Sequence, residues 1–374
     1  MYEQPQKKNI SSNQVFTALL NEEEIFPPVY LRFFSDIEKA DLEALRSIWP
    51  QVKVDRRVSL MEDMEEISDA DTLVSFENVA RMALEDTDPR VRATAIRILW
   101  EFDDPRMSQT FRKMLREDSE GIVRAAAASA LGRYIYLGEI EEIAQDLLHE
   151  IEEDLLRAHA GQDEELVRRR ALEALGFSGR QEVQELIRRA YDTDDNDWLI
   201  TALFAMGRSA DQTWEPDVRR MLRHPVSEVQ FEAVRAAGEL GIASARQPLL
   251  DMLEEGINDE DVYNAAIWSL SQIGGEDVRE TLEALAEESE DDEEMELLEN
   301  ALDNLEFTES FELFDMLDIG EDGEMREVSP DELVGYGDDD DLSLEDDAEE
   351  GNSDPSAPPP AKPDKNRPRH KRKS

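Results

Sequence analysis

One helical pattern recurs six times along the chain, and this repetition limits the possible folds more than any other feature. Each copy has a large anchor residue, an alanine four residues later and, in most copies, a large apolar residue eight residues later. Positions four and eight apart lie on one face of a helix, so each copy predicts an amphipathic helix. The six anchors are Val91, Val123, Val167, Trp198, Val229 and Val262.

The anchors are separated by 32, 44, 31, 31 and 33 residues. The long interval contains an insertion around 134–155 that is rich in Leu, Ile and Glu and has no proline, which predicts a lengthened helix. A second amphipathic segment lies between successive copies, for example 182–191 and 277–288. Each unit is therefore predicted to be a helix–turn–helix. One such pair cannot bury its own apolar face, so neighbouring units must stack.

Residues typical of helix ends at both termini of the repeated segment support the prediction of a helix. Asp88 and Pro89 start the first copy as N-cap and first helical residue. The four middle copies carry a glycine nine residues after the anchor, which we interpret as a left-handed residue at the C-terminus of the helix. These glycines are Gly132, Gly176, Gly207 and Gly238.

The consensus D-x-x-V-R-x-x-x-A-x-x-x-L-G resembles HEAT repeats over about residues 84–305, specifically the short type also seen in phycobilisome lyase-like and deoxyhypusine hydroxylase-like proteins. The resemblance implies an all-α, right-handed α-solenoid. It also implies a polar ladder formed by the arginine after each anchor. Arg92, Arg124 and Arg168 fit that ladder, whereas Leu199, Gln230 and Tyr263 do not, so we expect it to end in the second half.

The chain ends differ from the repeats. We predict a partly irregular extension at 1–34, an atypical helical cap at 35–84, six repeats at 85–286 and an acidic cap at 287–320. Residues 321–374 are predicted to be a disordered tail, first acidic and then basic. Between 287 and 354 there are 31 Asp plus Glu and a single cation, Arg326, whereas the last fourteen residues carry seven Lys or Arg.

Charge and composition limit the partners and the chemistry that can be expected of this protein. The formal net charge of −51 disfavours nucleic acid and favours a basic protein partner, although the basic end leaves contact with RNA or an anionic membrane open. The absence of cysteine removes disulfides, thiol nucleophiles and thiolate metal sites. No 18-residue apolar run and no secretory signal is found, so a cytoplasmic protein without a membrane span is expected.

Catalytic signatures are weak. Only one His-Glu dipeptide occurs, His149-Glu150, whereas the hydroxylase-like proteins need four such pairs for a di-iron centre. No phosphate-binding loop, dinucleotide fingerprint or hydrolase elbow is present. We therefore expect no cofactor, no metal and no catalytic residue. The alternative is a lyase-like or hydroxylase-like enzyme or enzyme subunit, which a metal and chromophore assay would detect.

Candidate binding residues come from copies that break the pattern. Positions two, three and six after each anchor should point away from the core, and the later copies place large groups there. If the repeated helices line the concave face, these side chains form a partner-binding groove; otherwise they fill contacts between repeats. The candidates are Ile200, Phe204, Phe231, Arg235 and Trp268.

A second candidate is the acidic and apolar segment 310–322, with Phe311, Phe314 and Leu317 as its principal side chains. It either binds a partner, docks on the last repeat or occupies the groove and regulates it. The sequence as a whole predicts a non-catalytic scaffold or adaptor that binds a protein through the concave face of the solenoid. Its oligomeric state stays open.

Overall fold

A computed structural model describes residues 10–100, 102, 104–315, 317–319 and 325–327. Helices dominate this part of the chain. Before the repeats come α1 (Ser12–Leu20), a 3-10 helix (Pro28–Phe33), α2 (Lys39–Ile48), a 3-10 turn (Trp49–Gln51) and α3 (Val54–Ala70). Of the N-terminal extension, residues 12–20 and 28–33 are helical, residues 21–27 form a loop, and Val15, Leu19 and Phe34 belong to the hydrophobic core.

The repeats form two layers. The helices that carry the anchors are α5 (Pro89–Leu99), α7 (Gly121–Glu139), α9 (Glu165–Leu175), α11 (Asn196–Arg208), α13 (Ser227–Glu239) and α15 (Glu260–Ile273). The helices that precede them are α4 (Glu77–Ala83), α6 (Pro105–Glu117), α8 (Gln145–Ala160), α10 (Gln181–Tyr191), α12 (Glu215–Met221) and α14 (Arg246–Glu255). Short 3-10 turns at Gln212–Trp214 and Ala243–Ala245 lead into α12 and α14.

The anchor-bearing helices pack against each other in sequence order, more closely than the helices of the other layer do. In a stacked array the more closely spaced layer lies on the concave side. We therefore call α5, α7, α9, α11, α13 and α15 the inner helices and the other six the outer helices. The all-α solenoid predicted from the repeats is confirmed.

The predicted stripe is the core of the array. All six alanines four residues after the anchors have no exposed surface, and neither do the six residues eight after the anchors. Every anchor is fully buried except Trp198, which is only partly buried while its neighbour Leu199 is 8% exposed. The insertion lengthens α7 to 19 residues and α8 to 16, against 11 residues for α5 and α9.

The interpretation of the four repeat glycines was wrong. None of them has a positive φ; Gly176, for instance, has φ −51°. Each instead faces the backbone of the next inner helix. A Cβ atom on Gly176 would lie 2.8 Å from the Ala205 Cα, and one on Gly238 would lie 2.7 Å from the Ser269 Cα. These residues are glycine because neighbouring inner helices approach too closely there for a side chain.

The C-terminal part begins with α16 (Glu276–Glu288) and α17 (Asp292–Asp315). Helix α17 packs on α15, where Tyr263 Oη donates to Glu294 Oε1 at 2.6 Å and Asn304 Nδ2 donates to Ser271 Oγ at 3.0 Å. Two short strands that the sequence did not predict follow: β1 (Leu317–Ile319) pairs antiparallel with β2 (Met325–Glu327). Apart from β2, the predicted disordered tail 321–374 lies outside the described residues. No helix of the described part is long and apolar enough to cross a bilayer.

Candidate functional site: an arginine–aromatic row on the inner helices

The ring of Phe204, one of the predicted candidates, is contacted by two guanidinium groups. The Cζ atom of Arg208 lies 4.1 Å from the ring centroid, and that of Arg235 lies 4.2 Å from it. Phe204 and Arg208 belong to α11 and Arg235 to α13, so these contacts join two repeats. Guanidinium over an aromatic face is an attractive electrostatic contact, and it strengthens when water is excluded.

The stacking continues toward the N-terminus. Arg208 also lies over the ring of Phe177, at 4.8 Å, and Phe177 meets Tyr136 edge to face with ring centroids 5.5 Å apart. Arg133 lies 5.5 Å from the Tyr136 centroid. We call these stacked side chains, which run from α7 to α13, the arginine–aromatic row: Arg133, Tyr136, Phe177, Phe204, Arg208 and Arg235.

The repeat period builds this row. Phe204 and Arg235 each stand six residues after the anchor of their copy, whereas Arg133, Phe177 and Arg208 each stand ten after. Four residues is about one helical turn, so positions six and ten lie one turn apart on the same face of an inner helix. Side chains at these positions on adjacent inner helices contact each other and form the row. Positions two, three and six alone do not show the alternation of arginine and aromatic residues. It becomes visible when position ten, one turn further along each inner helix, is included.

Carboxylates balance the arginines of the row. Arg235 donates to Glu232, through Nε at 2.8 Å, and to Glu239, through Nη1 at 2.8 Å. Glu173 accepts from Arg170 and, at 3.1 Å, from the hydroxyl of Thr201. The cluster around Phe204 thus has a net charge near zero. It contains three arginines and three glutamates: Arg170, Arg208, Arg235, Glu173, Glu232 and Glu239.

Burial shifts the protonation of this cluster. It lowers the pKa of Arg208 to about 10, with a further contribution from the like charge of Arg235. The same burial raises the pKa of Glu232 and of Glu239, against the opposing effect of Arg235. Within the described residues Arg208 has no carboxylate at ion-pair distance, and its contacts are the two rings and the Glu173 carbonyl oxygen, 3.5 Å from Nη1. The guanidinium is held mainly by stacking.

The other three groove candidates are not part of the row. Trp268 is 41% exposed and occupies the position on α15 that Phe204 and Arg235 occupy on theirs. Ile200 and Phe231 are partly buried and pack against the core. Thr201 and Glu232, expected to point outward, are buried between inner helices. The groove remains a prediction, and its best-defined part is polar and aromatic rather than purely apolar.

The predicted polar ladder is present in the first repeats. Arg92 binds Asp118 through Nε and Nη2 at 2.9 and 2.7 Å, and Arg124 binds Asp163 through the same two atoms at 2.9 and 2.6 Å. Arg168 departs from the pattern: it donates to the carbonyl of His159 at 3.0 Å and lies over Trp198. The carboxylate ladder therefore ends one repeat earlier than expected.

Side chains of the types that ligate metals take part in structural contacts or lie on the surface. The only cluster of three close acidic or histidine side chains in the described part is Glu165, Asp195 and Asp197, all exposed. Asp195 caps α11 and Asp197 pairs with Arg169 at 3.1 Å. The His149 side chain is 66% exposed, as expected for a surface residue. His159 packs edge-on against Trp198, and burial lowers its pKa.

The candidate tail motif falls at the edge of the described structure. Helix α17 extends to Asp315 and includes Phe311 and Phe314 in its backbone, while Leu317 begins β1 and pairs with Glu327. The side chains of these three residues lie outside the described part. Whether they bind a partner, the last repeat or the groove therefore stays a prediction.

Stacked helix pairs around a continuous stripe define the class of protein, an α-solenoid with a structured inner face. A family model described as HEAT repeats matches residues 76–160 and 199–261. These two regions are therefore similar to HEAT repeats, in agreement with the resemblance that the consensus indicated. No curated protein sequence matches the chain.

Several solved structures are similar to this chain. The Escherichia coli protein YibA is 16% identical, covering 76% of this chain and 98% of that one with a TM-score of 0.40. The CpcE–CpcF complex of phycocyanin lyase from Nostoc is 19% identical, covering 61% and 94%, with a TM-score of 0.42. Human deoxyhypusine hydroxylase is 14% identical, covering 79% and 96%, with a TM-score of 0.32.

Proposed function

We propose that the protein is a non-catalytic scaffold that binds another protein across its inner helices, around the arginine–aromatic row. The observation that supports this most directly is the stacking itself. Tyr136 in the row and Trp268 on the next inner helix are 38% and 41% exposed, and arginines lie over the rings of the row. Tryptophan, tyrosine and arginine are the residue types that dominate binding energy at protein interfaces.

Stacking also lowers the cost of binding. An arginine on a protein surface loses rotamer freedom when a partner immobilises it, at about 0.5–1.5 kcal/mol for each such side chain. Arg208 and Arg235 are already fixed against Phe204 before any partner arrives. The row therefore offers a preorganised surface, which favours a recognition role over a purely structural one.

The wider charge pattern suggests how a partner approaches. With its glutamates, the cluster around Phe204 is close to neutral, whereas the whole chain carries −51. A long-range negative field speeds the encounter with a basic protein and opposes nucleic acid, while the row supplies shape and stacking after contact. We place this activity in the cytoplasm.

Affinity purification with mass spectrometry, with and without residues 310–374, should identify the partner. With that partner purified, we expect Trp268→Ala combined with Arg235→Gln to weaken binding by about 30-fold, the loss of roughly 2 kcal/mol typical of hot-spot residues. Trp100→Ala is the matched control, because Trp100 is 42% exposed and lies at the end of α5 outside the row.

Two results would contradict the proposal. Unchanged binding by the double variant would remove the row from the interface. A large fall in its melting temperature would mean that these side chains serve contacts between repeats instead. Stoichiometric iron or a visible absorption band in the purified protein would replace the scaffold by the enzyme alternative.

A further inference from the structure

A second surface, distant in sequence from the arginine–aromatic row, concentrates exposed apolar residues at the N-terminal end of the solenoid. Four of the eleven exposed large apolar residues in the described part lie between residues 20 and 54. Ile25 is 90% exposed and Val29 62%, while Leu20 and Val54 are each 37% exposed. Exposed apolar residues grouped in this way are typical of interaction sites, whereas single ones need no explanation.

Ile25 lines an open cleft between the loop after α1 and the first half of α3, and Val29 follows the lining residue Phe26 by three residues. We call this opening the N-terminal cleft; its volume is about 530 Å³. Its lining includes Ile25 and Phe26 from the loop and Ser59 and Leu60 from α3. Leu20 and Val54 are sequence neighbours of lining residues on the two sides.

The exposure of Ile25 is a fixed feature of the loop. Arg56 of α3 donates from Nη2 to the carbonyl oxygens of both Asn21 and Glu24, and the Asn21 side chain accepts from the backbone N–H of Glu23 at 3.0 Å. The next residue, Phe26, is 7% exposed and contacts the ring of Phe34 at 6.2 Å between centroids. The loop is thus held from both sides, with Phe26 in the core and Ile25 in solvent.

The cleft is also acidic. Its lining contains five carboxylates, Glu22, Glu23, Glu24, Asp55 and Asp63, and only two cations, Lys53 and Arg56. Both cations are already engaged, since Lys53 pairs with Glu22 at 2.5 Å and Arg56 binds the loop carbonyls. Asp55 lies 3.5 Å from Arg90 Nη2 yet keeps 93% of its side chain exposed. Negative charge therefore remains beside an exposed apolar residue.

Burial and the neighbouring Glu66 and Glu62 raise the pKa of Asp63. Burial is the largest cause of this rise, and the smaller contribution of the two glutamates reflects negative potential at the site. The negative potential agrees with the acidic lining of the cleft and indicates that a cationic group would fit there.

We propose that the N-terminal cleft binds a segment of another protein that carries lysine or arginine next to a large apolar residue. The cation faces Glu23, Glu24 and Asp63, and the apolar side chain covers Ile25. This site is separate from the row of the proposed function and does not depend on it.

The absence of cysteine allows a direct test in the full-length chain. Val29→Cys introduces the only thiol, which is labelled with bimane and titrated with the synthetic peptide (Leu-Lys-Lys-Leu)3. We expect a saturable emission shift. The same peptide with Glu in place of Lys should give none, and the peptide with Ser in place of Leu should bind at least tenfold more weakly. Leu73→Cys, at an 89% exposed residue beyond the other end of α3, is the matched label control.

Two cleft variants test the residues separately, each in the labelled protein. Glu23→Lys with Glu24→Lys, and Ile25→Asp, should each weaken peptide binding at least tenfold; both change exposed side chains, and circular dichroism checks that the fold is kept. Leu73→Asp and Glu296→Lys with Glu299→Lys, which alter exposed residues elsewhere, should change the affinity less than twofold. Trp268→Ala with Arg235→Gln should also leave it unchanged, so the two proposals fail or succeed independently.

Several outcomes would overturn the assignment. Equal responses from the Val29→Cys and Leu73→Cys labels, or equal losses in cleft and control variants, would mean non-specific attraction of the basic peptide. A bimane signal that changes with protein concentration alone would identify a second copy as the occupant. Peptide binding that appears only after the Lys and Arg residues of 361–374 are replaced by Gln would identify the chain's own basic end.

Discussion

At the scale of single residues, Asp104 shows how one side chain connects several parts of the array. Its carboxylate caps α6 by accepting from the backbone N–H of Arg106 at 3.1 Å, and it pairs with Arg106 and Arg81, each at 2.9 Å. Its carbonyl accepts from the hydroxyl of the buried Tyr134 at 3.0 Å. The hydrogen bond from the Arg106 side chain is the largest of the effects that lower the pKa of Asp104 to about 2.

We predict that Asp104→Ala lowers the free energy of unfolding by about 1 kcal/mol at neutral pH, the usual cost of a lost N-cap. Because the folded-state pKa is below the unfolded value of 3.8, the folded protein binds fewer protons, and this contribution is complete above pH 4 and lost as the pH falls toward 2. Urea denaturation at pH 7, 4 and 3 should show the difference from wild type shrinking. A constant difference would contradict the assignment; Glu254→Ala, at an exposed residue, is the control.

Residues of the row show how far sequence reasoning reaches. Phe204 and Arg235 were found because they break the repeat pattern at a position expected to face outward. Arg208 was missed, since an arginine near the end of a helix is unremarkable by itself. Its role depends on Phe177 and Phe204, which lie 31 and four residues away in the sequence. Contacts between repeats can be predicted only once the relative register of adjacent helices is known.

At the scale of elements, the spacing of inner helices is set by small residues at their crossings. Gly132, Gly176, Gly207 and Gly238 each face the residue seven after the anchor of the next copy, which is Ala174, Ala205, Ala236 and Ser269 in turn. The sequence predicted the helices and their stripe correctly but assigned the glycines to helix ends. A glycine nine residues after the anchor suits both a left-handed cap and a close crossing, and only the packing of the neighbouring helix distinguishes them.

We predict that Gly176→Ala destabilises the protein by about 1–3 kcal/mol, the usual cost of overpacking, even though alanine favours helix more than glycine does. The added methyl would lie 2.8 Å from backbone atoms of Ala205, which cannot move independently of α11. Gly179→Ala is the matched control, because its Cβ would only approach the flexible end of Glu139 at 3.4 Å. Thermal and urea unfolding measure both; a neutral Gly176→Ala would show that the helices can separate at no cost.

At the scale of the whole molecule, the repeat period was enough to predict the solenoid, because each helix pair must bury its stripe against the next. The strands β1 and β2 were beyond such reasoning, since three-residue strands carry almost no periodic signal. Charge distribution is the other large-scale feature. Residues 276–308 contain fifteen Asp or Glu and one Arg, whereas residues 12–70 at the opposite end contain thirteen acids and six cations.

This asymmetry predicts that the array opens first at its acidic end. A terminal unit contacts only one neighbour, and in α16 and α17 like charges repel as well. Among the contacts that hold α17 to α15 are the Tyr263–Glu294 and Ser271–Asn304 hydrogen bonds and the buried Leu298, Ala301 and Leu305. Raising the salt concentration shortens the Debye length from about 30 Å at 0.01 M to about 8 Å at 0.15 M, which weakens the repulsion.

Amide hydrogen exchange of the full-length chain measures this opening helix by helix. At low salt we expect α17 to exchange faster than α11, and its protection, relative to the intrinsic rate, to rise severalfold between about 0.01 and 0.15 M sodium chloride. Helices α1–α3 serve as the control, because they are also terminal but nearer to charge balance, so their protection should rise much less. An equal rise in all helices would point to a general salt effect, and no rise in α17 would mean that repulsion does not limit its stability.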